Sequence, residues 1–295
     1  MIDIINLCKN FNGFQALKGI NLSISSGIIY GFLGPNGAGK TTTIRIIMDI
    51  YKPDDGEVLI DGLPPGEKIQ HRIGYLPEER GLYRKMKVID QLKYFAELKR
   101  VKSSIAKKKI YEFLEKFGLL EWKDKKVETL SKGMQQKLQF IGCILHNPDI
   151  LILDEPFTGL DPLNQQILKE EIFSLSKEGK TIIFSTHILL QAEQLIEKLA
   201  LINKGELVLE GSLKEIKEKF SENRLKIKAN ARLEDLREFG GFVLEKDEHY
   251  LVTLSPEVNP SEYLQKLISK NINIESFTKD TPNLEEIFLK VVKNA

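Results

Sequence analysis

Cysteine is scarce: Cys8 and Cys143 are the only two in 295 residues. Neither sits at metal-ligand spacing, which excludes a cysteine-built metal centre, and so few cysteines point to a reduced, cytosolic setting. Long apolar runs are also missing. None approaches the roughly 18 residues that a membrane-spanning helix needs, so any membrane role must come through a partner. The opening residues Met1-Ile2-Asp3-Ile4-Ile5 lack a basic segment and a cleavage site, and no signal peptide is expected. Charge of one sign is lacking as well. The 43 basic residues are balanced by 42 acidic ones, net +1, which argues against a general nucleic-acid binder. What remains is an ordinary globular composition, long enough for one large domain and a small one.

Against these absences stands Gly34-Pro35-Asn36-Gly37-Ala38-Gly39-Lys40-Thr41, a G-x-x-x-x-G-K-T loop. The apolar run Ile28 to Leu33 precedes it and reads as a buried strand. Ile44, Ile46, Ile47 and Ile50 follow as an apolar helix face. Strand, glycine-rich loop and helix together form a phosphate cradle. Backbone N–H groups turn inward, and the helix N-terminus favours an anion. Lys40 is expected to reach the β- and γ-phosphates and Thr41 to ligate Mg²⁺, so the loop binds a nucleoside triphosphate.

The remaining elements follow in order. Residues 2–7 read as a strand, and Ile20, Leu22 and Ile24 alternate as in a half-buried one. Phe11 lies between them, where it can be core or can stack on a base held by the loop. Glu57 to Ile60 and Ile73 to Leu76 are short strands, the second stopped by Pro77 and followed by Glu78, Glu79 and Arg80 in a loop. Between Met86 and Leu130 the pattern turns helical, with one face of Leu92, Phe95, Ala96 and Leu98 and another of Ile110, Phe113, Leu114 and Phe117. Lys99 to Lys109 holds six basic residues and no acid. It reads as a solvated helix end and loop, with an acidic partner or a lipid headgroup surface as the alternative. Ser131 N-caps a further helix.

Asp149 to Pro156 carries the chemistry. Its apolar run is a strand buried on both faces, and Asp154 and Glu155 stand at its carboxyl end, where doubly wound sheets place ligands. Successive strand residues point oppositely, which gives the two carboxylates separate roles. Asp154 is expected to orient Mg²⁺ and Glu155 to take a proton from the attacking water. Gly159-Leu160-Asp161-Pro162 is a turn ahead of a helix to about Ser176. Thr181 to Ser185 is a strand ending at Thr186-His187, which puts His187 within plausible reach of the γ-phosphate. Asn203-Lys204-Gly205-Glu206 ends in Glu and sits in a hairpin turn, so it is not the guanine motif of GTPases. Ser212 to Glu215 is a capping box. The first domain is expected to end near Phe220-Ser221-Glu222-Asn223. Beyond it, Leu225 to Lys228, a helix near Leu233 to Phe239, a hairpin from Phe242 to Leu254, a helix from about Ser261 to Ser269 and Ile272 to Ile274 give the β-α-β-β-α-β order of a ferredoxin-like domain. A last helix spans Leu284 to Val292.

Residues 1 to about 218 resemble the nucleotide-binding subunit of ABC transporters throughout. The loop at Gly34, Leu130 to Gln136, Ile150 to Glu155, Leu160-Asp161 and His187 match that family's Walker A, signature, Walker B, D-loop and switch-histidine positions. The resemblance implies a P-loop NTPase (α/β) with a helical subdomain at about 85–145 in a domain of residues 1–220, plus a small α+β domain at 221–295. It implies ATP and Mg²⁺ as cofactors, with Phe11 against adenine and Thr42 beside Thr41 among the nucleotide contacts. It implies a dimer in which Ser131, Gly133 and Asp161 of one protomer face ATP held by the other. It also implies a separate integral membrane permease, a place on the cytoplasmic face of the membrane, and catalysis by Glu155, His187 and Lys40.

Three departures stand out. The signature reads Leu130-Ser131-Lys132-Gly133-Met134, Glu78 replaces the usual loop glutamine as a possible Mg²⁺ contact, and the C-terminal domain is extra. With Leu284-Glu285-Glu286-Ile287-Phe288 near the end, these features resemble two-component bacterial exporters of the multidrug and sodium-efflux kind. The competing readings are a non-transport ABC ATPase and an ATPase governed by a ligand-sensing C-terminal domain.

Overall fold

The computed structural model describes residues 1–79, 81–221, 223–237, 241–246, 249–255 and 257–293. Arg80 of the loop after Pro77, Glu222 of the expected linker and Phe239 at the end of an expected helix lie outside them. Two compact units divide at Gly211 and Ser212.

In the first unit the N-terminal strand runs on past residue 7. β1 (Ile2–Phe11) turns through Asn12-Gly13 into β2 (Phe14–Ile24). Asn12 and Gly13 have φ of 50° and 88°, the paired positive values that a two-residue hairpin of matching twist requires. β3 (Ile29–Leu33) leads through the glycine-rich loop into α1 (Lys40–Ile47), and β4 (Asp55–Ile60) pairs antiparallel with β1. The face of α1 is shorter than its sequence suggests. Ile44, Ile46 and Ile47 are buried, but the helix stops before Ile50, which is 53% exposed.

The chain continues through α2 (Glu67–Gln70), β5 (Ile73–Leu76) and the helices α3 (Val88–Leu98), α4 (Ser103–Lys116) and α5 (Lys132–Ile144). Phe117 and Phe140, 5.7 Å apart between ring centres, join α4 to α5 in the core of this helical part. Lys99, expected to be solvated, instead donates to the carbonyls of Gln70 (2.7 Å) and Ile73 (3.0 Å) and ties the end of α3 to the strand region. Then come β6 (Ile150–Asp154), α6 (Pro162–Lys177), β7 (Thr181–Thr186), α7 (Leu189–Glu193), β8 (Lys198–Asn203) and β9 (Glu206–Ser212).

These strands form a six-stranded sheet in the order β5-β6-β7-β3-β8-β9, parallel from β5 through β8. Every residue of β3, β6 and β7 is buried, as strands covered on both faces must be. The register sets Asp154 beside Ser185 and Leu33 beside Thr186. The carboxyl ends of β3, β6 and β7 therefore meet along one edge.

The second unit begins one helix earlier than the expected boundary at 220. α8 (Leu213–Phe220), started by the Ser212–Glu215 capping box, packs with α11 (Leu284–Lys293) and buries Ile216. Between them lie β10 (Arg224–Asn230), α9 (Leu233–Arg237), β11 (Gly241–Lys246), β12 (His249–Leu254), α10 (Pro260–Ser269) and β13 (Asn273–Lys279). The antiparallel order β11-β12-β10-β13 is that of the ferredoxin-like split fold. Leu225, Ile227, Val252, Tyr263 and Leu267 are among its core residues.

Candidate active site

Three glycines of the loop hold backbone that other residues resist. Gly34 (φ 144°) passes so close to β8 that a Cβ would lie 2.0 Å from the Ile202 carbonyl oxygen. At Gly39 (φ 112°) a Cβ would meet Leu17 at 2.7 Å. Gly37, at φ 77°, is constrained by conformation alone. Lys40 closes the loop on itself, its ammonium donating to the carbonyls of Gly34 (2.8 Å) and Pro35 (3.0 Å). Burial pushes this ammonium below its usual range, while Glu155, Asp154 and Glu78 pull the other way. A positive group thus sits where the loop N–H groups already favour an anion.

A cavity of about 440 Å³ opens over the loop, within the range of nucleotide-sized sites. Phe11, Phe14, Ala16, Asn36 to Thr42, Glu78 and Glu155 line it. Gly34 and Pro35 are not on its wall; they hold Lys40 from behind. Phe11, half exposed, meets Tyr51 edge-on at 5.3 Å. Phe14, paired with Phe11 across the Asn12-Gly13 hairpin and 65% exposed, adds a second aromatic wall that sequence reasoning passed over.

At the sheet edge the two carboxylates part company. Asp154, fully buried at the end of β6, accepts from Thr41 Oγ1 (3.2 Å) and from Ser185 Oγ through its Oδ1. Its Oδ2 is buried without a partner. Burial raises this carboxyl above its usual range, and the Ser185 and Thr41 hydrogen bonds oppose that rise. Glu155 then leaves the strand with φ 49°, a left-handed conformation that costs a non-glycine residue roughly 1–2 kcal/mol. The turn aims its side chain at the end of β7. Oε1 accepts from the His187 amide (3.0 Å) and lies 2.8 Å from His187 Nδ1, while Oε2 accepts from Thr186 Oγ1 (3.2 Å). Ser185 also supports Glu155, accepting from its amide through Oγ at 3.2 Å.

Among the described residues no group of three or more His, Cys, Asp or Glu gathers as a metal centre. The orphaned Asp154 Oδ2 and the Thr41 hydroxyl nevertheless suit Mg²⁺, a hard cation that takes one or two protein oxygens and completes its shell with phosphate and water. Glu78, exposed, reaches the same cavity wall.

The other expected contacts lie off this wall. Ser131 caps α5, accepting from the Met134 amide at 3.2 Å. Gly133 packs near Leu160, where a Cβ would be 3.4 Å away. Asp161 caps α6, accepting from the Asn164 amide at 3.0 Å, and this bond lowers its carboxyl below the usual range. The helix α5 also grips the loops around the cavity. Gln136 donates to the Pro156 carbonyl (3.1 Å), and Gln139 to those of Pro77 (3.3 Å) and Glu79 (3.4 Å).

Residues 17–158 match the family model for ABC transporters, and residues 211–292 match that of the ATP-binding protein DrrA1-3-like, C-terminal domain. The chain is 41% identical to the uncharacterized ABC transporter ATP-binding protein YhaQ of Bacillus subtilis (strain 168), over 99% of this chain and 98% of that one. It is 29% identical to the daunorubicin/doxorubicin resistance ATP-binding protein DrrA of Streptomyces peucetius, over 98% and 91% of the two chains. A solved dimeric, post-hydrolysis ATP-binding cassette bound to ADP and Pi is similar in fold. Its TM-score is 0.66 at 26% identity, over 72% of this chain and 99% of that one. With phosphate loop, buried aspartate and histidine-backed glutamate on one sheet edge, the chain belongs to the ABC transporter ATP-binding proteins and is an ATPase subunit of such a transporter.

Proposed function

We infer that this subunit drives a separate membrane permease in an exporter, working as one of a pair on the cytoplasmic face of the membrane. The observation that carries the paired site is a division of labour. Phe11, the loop and Glu155 share one cavity, while Ser131, Gly133 and Asp161 lie off its wall. A second protomer brings those three to the exposed side of the triphosphate, where the N-terminus of α5 faces the anion. The relative DrrA, named for daunorubicin/doxorubicin resistance, supports export.

In this reading adenine rests against Phe11, and the triphosphate lies on the loop N–H groups, Lys40 and Thr42. Mg²⁺, held through Thr41 and Asp154 with Glu78 beside it, neutralises phosphate charge when bound. Glu155 accepts the proton of the attacking water as the water oxygen bonds to the γ-phosphorus and the bond to the ADP oxygen breaks. His187 fixes the Glu155 carboxylate through Nδ1 and its amide. The positive charge of Lys40 offsets the negative charge that develops on the ADP oxygen as its bond to the γ-phosphorus breaks.

ATP that contacts two protomers favours the dimer. Turnover per mole should therefore rise with protein concentration while monomer predominates, and Ser131→Glu should suppress it by setting an anion against the phosphate. A flat specific activity from a species that stays monomeric overturns the composite site.

A further inference from the structure

The near-zero net charge of the chain conceals a strong segregation. Residues 84–137, which hold α3, α4 and the start of α5, carry 16 Lys and Arg against 7 Asp and Glu, net +9. The rest carries 27 against 35, net −8. Much of the excess is unneutralised. Lys85, Lys102, Lys107 and Lys125 are exposed, and their ammonium groups make no hydrogen bond or ion pair among the described residues. At the joint between α3 and α4 a slot of about 380 Å³ runs over Ile89 and Ala106, with Lys93, Ser103, Lys107 and Tyr111 at its edges and a single acid, Glu97, among its lining residues. Exposed Ile105 (48%) lies in the first turn of α4 beside Lys102 and Ala106, while Leu98 lines a separate cavity with Phe95 and Gln139. The first turn of α4 contains no acid and has Lys102 at its cap position, so the helix adds to the positive field.

We propose that this joint is a docking face for the anionic phospholipid headgroups of the membrane in which the permease sits, an inference that rests on the transporter reading above. The phosphodiester of a headgroup meets Lys102, Lys107 and Ser103, and Ile105 enters the acyl boundary. Basic groups interleaved with aliphatic ones suit a lipid surface better than an acidic peptide, which gives the aliphatic side chains less to bury in. The acids on the rest of the chain are repelled by the same surface, so the field orients the subunit as well as attracting it.

The test is sedimentation of the full chain with vesicles of phosphatidylcholine alone or mixed with phosphatidylglycerol. Binding should require phosphatidylglycerol. It should fade as salt rises from about 0.1 M to about 1 M and the screening length falls from about 10 Å to about 3 Å. A lysine at such a surface contributes about fivefold in partition, so Lys102→Gln with Lys107→Gln should lower binding about 25-fold. Lys177→Gln with Lys198→Gln, an equal charge change elsewhere on the same unit, should lower it far less. Equal binding to both vesicles, or equal losses in the two double variants, overturns the proposal. So does loss of permease co-purification in the Lys102/Lys107 variant without any vesicle binding, which assigns the face to an acidic protein surface. ATP turnover of the same preparations is read alongside. Unchanged turnover and permease co-purification with failed vesicle binding remove the headgroup face and leave the transporter reading standing, whereas failed permease co-purification of the parent chain with intact vesicle binding removes the permease reading and leaves the headgroup face.

Discussion

Replacing Glu155 by glutamine keeps the shape of the side chain and removes its ability to hold a proton. The geometry lets the His187 contacts survive and reverses the one to Thr186. An amide oxygen in the Oε1 position still accepts from the amide and Nδ1 of His187, and an NH₂ in the Oε2 position can donate to Thr186 Oγ1. Stability should fall by about 1–3 kcal/mol, because the buried Thr186 hydroxyl proton loses Oε2 as its acceptor while the two His187 donors keep theirs. Glu155→Ala is the poorer probe, since it strands the donors of His187 and Thr186 at about 1–3 kcal/mol each. Loss of a general base costs about a hundredfold or more, which is a barrier increase of about 3 kcal/mol. Phosphate release should therefore fall at least a hundredfold in Glu155→Gln, while binding of a fluorescent ATP analogue stays within about twofold of the parent. Turnover within twofold of the parent would remove Glu155 from the proton transfer. Weakened binding would mean that its charge holds the nucleotide instead.

Two further outcomes test the surroundings. Ser185→Ala removes a buried hydroxyl that touches both Asp154 and the Glu155 amide. It should cost about 1.5–3 kcal/mol in thermal unfolding and about tenfold in turnover, and a parent-like melt and rate would refute the support role. His146 is lowered by burial from 6.5 to about 4, with Lys99 adding to the effect. The unfolded chain thus binds protons more readily than the fold, so this stability is complete above about pH 6.5 and is lost as pH falls towards 4. For a partly exposed group the full shift is discounted to ~1–2 kcal/mol. His146→Gln should flatten the pH dependence of the melt by that amount between pH 7 and 5, and an unaltered slope would exclude His146 as its source.

The loop, the buried Walker B strand and the ferredoxin-like order were legible because each is written in local pattern: glycine spacing, an unbroken apolar run, and alternation. What escaped was set across the chain. Nothing in Thr181 to Thr186 announces that Ser185 will hydrogen-bond Asp154; that follows from the parallel register of β6 and β7. Phe14 was missed although the Asn12-Gly13 dipeptide beside it is a strong hairpin signal, and recognising that turn would have set Phe14 opposite Phe11. The boundary at 220 followed a polar stretch. The helix before it is amphipathic and is claimed by α11, a contact that no local pattern encodes. The charge of Lys99 suggests a solvated side chain, whereas its geometry makes it a strap between two backbone carbonyls.

Gln139 reaches the loop after β5 through the carbonyls of Pro77 and Glu79, not through side chains. A grip on backbone is indifferent to what the loop residues are. Position 78, between the two anchors, can exchange amide for carboxylate while the loop keeps its moorings to α5. The loop is in effect a socket with an interchangeable bit, and the chemistry presented to the nucleotide can be retuned there without rebuilding the joint that carries it.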